Sequence, residues 1–562
     1  MKYSGKENDM KVDRIIRNAK IFTSNEDNMI ASALVVKDGK FVYVGDEAGL
    51  SDYEGEVTDL GGKFIMPGIY DTHAHVTTGV AFDYIDPGAY VPAASKQEAL
   101  EFMAENVRSN PDKEYYRFMM EKSSLAGEEL RKEDLDGVCA DKEVLILEAE
   151  GHSAWVNSKT FENHGITDDT PDPSPGQHYY ARDEEGHLTG NTFEAACWPF
   201  IFSRLQKTIT DEQIEAAVTR WIEFCKEYGV VGVFDAGFPE HNDFQERMFT
   251  VFREMDKQGK FPIYIDGSYF VTNRNKLKFG LEETKRWNRE FATDHLKVHT
   301  FKLYMDGTFK IRTAALLTPY EGTDTMGVTA VNAEELAELI KELNDEGLDL
   351  HVHAVGERGS RVVLDGAELA RKELGDDLRI KITCCHLENQ DDADLDRFAK
   401  LGVIANYTPW WHTGYIDDDL SDYLGKRRAE NMYRCKTVWD SGALVTWSSD
   451  NAAYLDFEPW NPYLGMEIGM TRWSNEKTKL PEMYTAPAAL PPDKERMGVE
   501  EMILGYTING ARQLGIDATK GSIEAGKDAD FLVFENDLLT AEHEGFSYNK
   551  PSEVYFCGNR MD

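Results

Sequence analysis

Through the middle of the chain, short apolar runs alternate with longer stretches whose apolar residues recur every three or four positions. The longer stretches, such as 211–229 and 333–347, end in glycine, as amphipathic helices commonly do. The short runs predict eight buried strands. They are KFIMPGIYDTHAH (63–75), EVLILEAEGH (143–152), GVVGVFDAG (229–237), HTFKLYMDG (299–307), LDLHVHAVGE (348–357), RIKITCCHLEN (379–389), GVIANYTP (402–409) and ALVTWSSDN (443–451). Eight such βα units predict a (β/α)8 TIM-type barrel of the α/β class, whose active site lies at the carboxyl ends of the strands.

Both ends of the chain are rich in β-type patterns, between 13 and 60 and again at 521–537 and 554–558. We therefore expect a small β-sandwich made by both termini, 13–66 plus 516–562, with the barrel at 67–515 between them. Residues 84–200 are too many for one βα connection and predict an insertion after the first barrel strand.

The end of the first predicted barrel strand, GIYDTHAHV, carries two histidines one residue apart. Side chains two positions apart on a strand point the same way, so His73 and His75 share a face with Asp71. Two histidines on one buried face are either a metal clamp or a polar pair that costs desolvation.

Other strand ends favour the clamp. Lys302 ends the fourth predicted strand, His351 and His353 the fifth, His386 the sixth and Asp450 the eighth. Neutral imidazoles together with a carboxylate match zinc, or another borderline divalent ion, at an open catalytic site. His351 points inward one layer deeper than His353, which favours a core role for it.

Several motifs resemble those of the amidohydrolase superfamily. GHSAWVNS (151–158), DGTFKIRTAAL (306–316) and HAVGER (353–358) are similar to its YtcJ-like branch, which includes N-substituted formamide deformylase. The tail GSIEAGKDADFLVF resembles the C-terminal sandwich strand of that superfamily. The resemblance covers about residues 13 to 560.

The resemblance implies a function for each of these strand-end residues. It implies metal ligands at His73, His75, His353 and His386, and one or two ions. It also implies that Lys302 is carboxylated by CO₂ to a carbamate that bridges two metals, and that Asp450 handles the proton.

These features predict a metal-dependent hydrolase that cleaves a C–N bond of the amide type. The expected substrate is an N-acyl or N-formyl amine, or a cyclic amide, attacked by metal-bound hydroxide with Asp450 as proton shuttle. A catalytically silent regulatory or ligand-binding protein on the same scaffold, or a deaminase, is the alternative.

Substrate contacts are expected from residues near the strand ends. The loop YTPWWHTGY (407–415) places Trp410, Trp411 and His412 after the seventh strand, where they either line the pocket or pack. His152 follows the predicted second strand and either contacts substrate or makes a structural hydrogen bond. His178 lies in a turn-rich stretch and is expected at the surface.

The composition limits the classes of partner that the protein is expected to bind. A formal charge of −40 and a pI near 4.7 argue against binding to nucleic acid or to an anionic membrane. The charge says nothing about the substrate, which we expect to be a small molecule. Seven cysteines without a CxxC pair fit a reducing cytoplasm. The N-terminus has no apolar signal segment, so we expect a cytoplasmic protein, as a monomer or a homo-oligomer.

Overall fold

Eight parallel strands form the central sheet of the computed structural model. In chain order, barrel strands 1 to 8 are Ile69–Ala74, Val230–Asp235, Tyr264–Val271, Leu296–Tyr304, Asp349–Ala354, Ile382–His386, Ile404–Tyr407 and Val445–Trp447. Each strand pairs in parallel with the next one along the chain. The predicted (β/α)8 barrel is confirmed.

Strands 8 and 1 meet at the carboxyl end of the barrel. There the backbone N–H of Asp450 donates to the carbonyl of His73 at 2.7 Å, and the N–H of His75 donates to the carbonyl of Asn451 at 3.0 Å. These two bonds join the ends of the first and last strands next to the candidate site.

One strand prediction is wrong. The run at 143–152 is not barrel strand 2, because Glu143–Glu148 pairs instead with Tyr115–Met120 and Ser153–Val156 in a separate sheet. The prediction also omitted Tyr264–Val271, whose buried Asp266 and Gly267 interrupt its apolar pattern. One predicted strand does not belong to the barrel and one barrel strand was not predicted, so the total is still eight. Barrel strands 4 to 8 therefore keep their predicted numbers.

The insertion lies between barrel strands 1 and 2, as predicted, and has its own sheet. In spatial order, this insertion sheet contains Tyr179–Arg182, Leu188–Phe193, Ser153–Val156, Glu143–Glu148, Tyr115–Met120 and Ala89–Tyr90. A separate apolar cluster that includes Met103, Phe118 and Ile146 packs beneath it.

Both termini contribute to the β-sandwich, as predicted. One sheet contains Lys40–Gly45, Ala33–Lys37, Met10–Arg17 and Tyr53–Asp59, and the other contains Asn559–Arg560, Glu553–Phe556, Phe531–Phe534, Phe64–Pro67, Lys20–Phe22 and Ile30–Ala31. The chain passes from sandwich to barrel at Gly68, where a Cβ would lie 2.3 Å from a methyl group of Val231. The domain boundaries at 66/67 and 515/516 stay predictions.

Helices connect the strands and cover the barrel. The α-helices are Val76–Phe82, Lys96–Ser109, Lys132–Val138, Ser158–Asn163, Trp198–Phe202, Asp211–Tyr228, Asn242–Lys257, Leu277–Glu290, Ala333–Glu346, Glu357–Leu374, Arg397–Leu401, Ser421–Leu424, Lys426–Ala429, Cys435–Asp440, Pro462–Thr471, Val499–Tyr506 and Ile508–Leu514. Asp211–Tyr228 begins with a capping box from Thr210 and Gln213 and ends at Gly229 in the left-handed conformation.

The structure describes residues 10–27, 29–82, 88–125, 127–148, 151–203, 209–238, 242–414, 420–452, 458–480 and 485–561. Within these ranges, no helix combines the length and apolar character needed to cross a bilayer. All seven cysteines are described, and none forms a disulfide.

Candidate active site

The barrel brings the first histidine pair and the last strand's aspartate together. Nε2 of His73 and Nε2 of His75 lie 3.1 and 3.3 Å from Oδ1 of Asp450. The other carboxylate oxygen, Oδ2, lies 3.6 Å from Nδ1 of His386. Side chains from the ends of barrel strands 1 and 6 therefore share the carboxylate of Asp450, which follows strand 8.

Hydrogen bonds from strand 1 hold the loop that carries Asp450. The carboxylate of Asp71 accepts the N–H of Ser449 at 3.0 Å, and the hydroxyl of Thr72 donates to the carbonyl of Trp447 at 2.7 Å. Asp450 and His386 also adopt positive φ angles of 48° and 74°, which residues other than glycine seldom do. The local backbone is thus constrained where the side chains converge.

Two further contacts set the orientation of the histidine pair. Nδ1 of His75 donates to the carbonyl of Gly237 at 2.8 Å, which turns its Nε2 toward Asp450. Nδ1 of His73 lies 2.8 Å from Nε2 of His351, whose ring stacks on Phe234. His351 therefore lies beneath His73 and orients it.

His353 and His386 extend the cluster. Their ring centroids are 4.4 Å apart, and the ring of His386 is 4.9 Å from that of His73. In the described part of the chain, four buried atoms of this cluster have no hydrogen-bond partner: Nε2 of His353, Nδ1 and Nε2 of His386, and Oδ1 of Asp450. Buried polar atoms are almost always paired in proteins, so four unpaired atoms in one cluster fit a site that can bind a cation.

Lys302 lies within the same cluster and is 1 % exposed. Its Nζ is 3.4 Å from Nε2 of His73 and 3.4 Å from the sulfur of Cys385. Burial lowers the pKa of Lys302, which favours the neutral amine that reaction with CO₂ requires. Cys385 forms a second group with His73 and His351 whose ligand atoms could hold a metal.

The electrostatics of the cluster suit a cation. Burial holds the pKa values of His73, His353 and His386 well below the ordinary value, so these rings are neutral and can ligate. Burial alone would raise the pKa of Asp450, but His386, His75 and Lys302 hold it at about 2. The residues present therefore fit a divalent ion of the zinc type.

Exposure shows how the cluster meets solvent. The side chains of His75 and Asp450 are 19 % and 13 % exposed, whereas that of His73 is fully buried. A small molecule can thus approach from the side of His75 and Asp450.

The four predicted substrate residues lie in different surroundings. The ring of Trp411 stacks on that of His386, and the indole N–H of Trp410 donates to the carbonyl of Ser449 beside Asp450. His412 is 1 % exposed and its ring stacks on that of Tyr433, so it packs in the protein interior and does not lie beside the candidate ligands. Residue 415, the last of that loop's aromatic motif, lies outside the described residues.

His152 and two residues that the sequence analysis missed form a polar group on the insertion side. Nδ1 of His152 donates to Oε2 of Glu194 at 2.8 Å, and the hydroxyl of Tyr304 donates to the same oxygen at 2.8 Å. Glu194 belongs to no motif that would have marked it, because only the fold brings it near the barrel.

His178 is buried, so its predicted surface position is wrong. Its Nε2 donates to the carbonyl of Thr272 at 2.9 Å, and its Nδ1 accepts the N–H of Ala195. The turn-rich stretch around it packs against the barrel, and two ordered hydrogen bonds compensate the burial of the ring.

Comparisons with known proteins find relatives along most of the chain. The chain is 26 % identical over 546 residues to N-substituted formamide deformylase of Arthrobacter pascens, which covers 93 % of this chain and 94 % of that protein. It is 24 % identical over 443 residues to the exoenzymes regulatory protein AepA of Pectobacterium carotovorum subsp. carotovorum, covering 77 % of this chain and 92 % of AepA.

The fold also matches a solved structure. The crystal structure of an uncharacterized metal-dependent hydrolase from Pyrococcus horikoshii superimposes with a TM-score of 0.67 at 23 % identity, covering 94 % of this chain and 99 % of that one. The profile of the amidohydrolase family matches residues 56–561 and confirms the resemblance found in the sequence. The chain belongs to the amidohydrolase family.

Proposed function

We propose that the protein hydrolyses a C–N bond of the amide type in a small molecule, an N-acyl or N-formyl amine or a cyclic amide. One observation carries the proposal: Asp450 Oδ1 lies within 3.3 Å of the Nε2 atoms of both His73 and His75 and has no hydrogen-bond partner in the described chain. A carboxylate held beside neutral imidazoles is the arrangement that binds a hydrolytic metal and moves a proton.

His73, His75, His353 and His386 would hold the metal together with Lys302, with one or two ions depending on whether Lys302 is a carbamate. The metal, when bound, polarises the acyl carbonyl and makes water a nucleophile at neutral pH. The residues of the chain do the rest. Gly237 and His351 orient the first histidine pair, and Asp450 accepts the proton of the attacking water and passes it to the leaving nitrogen.

Aromatic side chains next to the ligands favour an apolar substituent on the substrate. Trp411 stacks on His386, and Phe270 lies 6.5 Å from His75 and 6.3 Å from Trp198, measured between ring centroids. An aromatic or aliphatic group beside the scissile bond would pack against such rings.

A catalytically silent regulatory protein is the second candidate, and the similarity to AepA is the observation that favours it. A silent protein has no need for a complete set of catalytic side chains. Here the chain has both the histidines and Asp450 in contact distance, which supports the enzyme.

The deciding experiment is a substrate screen with zinc-loaded protein. The panel contains N-formyl and N-acetyl amines with aromatic and aliphatic substituents, cyclic amides, matched esters and aminopurines, with Asp450→Asn as the blank. Release of amine from at least one amide, absent in the blank, supports the proposal. Ammonia release from an aminopurine alone would identify a deaminase, and no turnover with metal bound would favour the regulatory protein.

A further inference from the structure

A second polar cluster adjoins the candidate metal site and plays no part in the mechanism above. Its four residues are His152, Glu194, Tyr304 and Thr313. Oε1 of Glu194 accepts the hydroxyl of Thr313 at 2.6 Å, and Oε2 accepts the hydroxyl of Tyr304 and Nδ1 of His152, each at 2.8 Å. Two of the residues come from the insertion and two from the end of barrel strand 4 and the loop after it.

The Glu194 side chain is fully buried, whereas that of His152 is 26 % exposed. Burial alone would raise the pKa of Glu194, but His152 and the hydroxyl of Thr313 hold it below its ordinary value. A buried carboxylate needs a positive counter-charge, and the hydroxyls cannot supply one. His152 can, and its partial exposure leaves it in reach of a small molecule.

The backbone at Glu194 is also unusual. Its φ is 55°, in the left-handed region that it shares with His386 at 74° and Asp450 at 48°. Residues other than glycine are seldom found there, and such strain concentrates at functional sites. Glu194 thus has the same backbone feature as two residues of the candidate metal centre.

Contacts connect this cluster to the metal site. The ring of Tyr304 stacks on that of His353 with centroids 4.1 Å apart, and His353 contacts His386, which contacts Asp450. The hydroxyl oxygen of Tyr304 also lies 3.3 Å from Nδ1 of His152. His152 and Asp450 are therefore at opposite ends of one continuous series of contacts.

We propose that His152 is a second catalytic residue, which donates a hydrogen bond from Nε2 to the acyl oxygen of the substrate, and that Glu194 is its positioning residue. The inference rests on the proposed amide hydrolysis. Because Nδ1 of His152 donates to Glu194, the proposed hydrogen bond to the acyl oxygen is assigned to Nε2. Negative charge grows on the acyl oxygen as water adds, and a fixed donor with a positive charge stabilises it. No bond to His152 forms or breaks.

Two substitutions test this, His152→Asn and Glu194→Gln, with Glu143→Gln as the matched control. Glu143 is a buried glutamate of the insertion sheet, and its carboxylate accepts a hydrogen bond from Asn163. It is the first residue of the strand Glu143–Glu148. On an amide from the screen, we expect kcat to fall about 100-fold in both test variants, the usual cost of one oxyanion donor. KM, zinc content and the thermal midpoint should stay as in the wild type, because the bond matters in the transition state.

Acetate provides a readout that does not need turnover. The carboxylate oxygen of acetate, like the acyl oxygen of the substrate, can accept a hydrogen bond from His152. Calorimetry with zinc-loaded protein should show that acetate binds at least tenfold more weakly to His152→Asn and Glu194→Gln than to the wild type, and equally well to Glu143→Gln. Unchanged acetate affinity in both test variants overturns the inference. A fall in kcat that is fully explained by a fall in zinc content also overturns it. If no amide is turned over by the wild type, the proposed function fails, and acetate binding still decides the role of His152.

Discussion

The backbone N–H of Asp450 donates to the carbonyl of His73 at 2.7 Å, so the barrel closes at the same point where the candidate base meets the candidate metal ligands. The side chains repeat the relationship, since Oδ1 of Asp450 lies 3.1 Å from Nε2 of His73. The hydrogen bond that joins barrel strands 8 and 1 therefore also holds two residues of the candidate site next to each other.

Replacing Asp450 with asparagine should keep the metal and remove most of the rate. Asparagine preserves the shape and one acceptor oxygen but cannot take the proton, and loss of a general base costs about 10²–10⁴ in kcat. Metal analysis and kcat measure the two effects separately. Asp349→Asn is the control, because Asp349 is a buried carboxylate paired with Lys381 at the opposite end of barrel strand 5. Retained activity in Asp450→Asn would exclude a proton-transfer role.

Lys302→Ala should lower the metal content toward one ion per chain. The carbamate, if present, bridges two ions, and alanine provides no ligand. A short acid such as propionate should partly restore metal and activity by occupying the vacated place. Full metal and full activity in Lys302→Ala would replace the binuclear site with a mononuclear one on the histidines and Asp450.

Cys385→Ala tests whether the metal binds at the site proposed above or at the second group of ligand atoms, which includes Cys385. Cys385 lies 3.4 Å from Lys302 and forms a group with His73 and His351. If the metal binds as proposed, Cys385→Ala retains its metal content and its kcat. Loss of metal in that variant, with Lys302→Ala intact, would assign the ion to the cysteine group.

Gly237→Ala should weaken metal binding by about 10–100-fold, the usual effect of disturbing a residue that orients a ligand. Gly237 has φ of 97°, and a Cβ there would lie 2.9 Å from the Cβ of Phe270. The carbonyl that orients His75 would have to move. Gly259→Ala is the control, since Gly259 has φ of 70° with open space around it, and only stability should change there. Equal metal affinity in both variants would show that the Gly237 carbonyl does not matter.

Asp306→Ala should destabilise the fold by at least about 3 kcal/mol. The buried carboxylate of Asp306 accepts the N–H groups of Ala315, Val355 and Gly356 at 2.8 to 2.9 Å, and alanine leaves all three without a partner. Asp306→Asn should cost less, because it keeps an acceptor oxygen. Thermal unfolding gives the comparison, and an unchanged midpoint in Asp306→Ala would mean that water replaces the carboxylate.

Local pattern alone was enough to predict the fold class, the composite sandwich and the histidine pair. The alternation of short apolar runs with amphipathic helices is set by the periods of strand and helix, which each segment shows by itself. The spacing of His73 and His75 fixes their common face for the same reason. Asp450, His353 and His386 were predicted because each ends an apolar run, and the ends of parallel strands meet.

Tertiary structure decided what local pattern cannot distinguish. Glu143–Glu148 is buried on both faces and reads like a barrel strand, yet it pairs in the insertion sheet, while Tyr264–Val271 is interrupted by Asp266 and Gly267 and is barrel strand 3. The contact between His152 and Glu194 likewise joins two residues 42 positions apart. Strand partners and buried hydrogen bonds depend on which surfaces the whole chain brings together, and that information is not local to any segment.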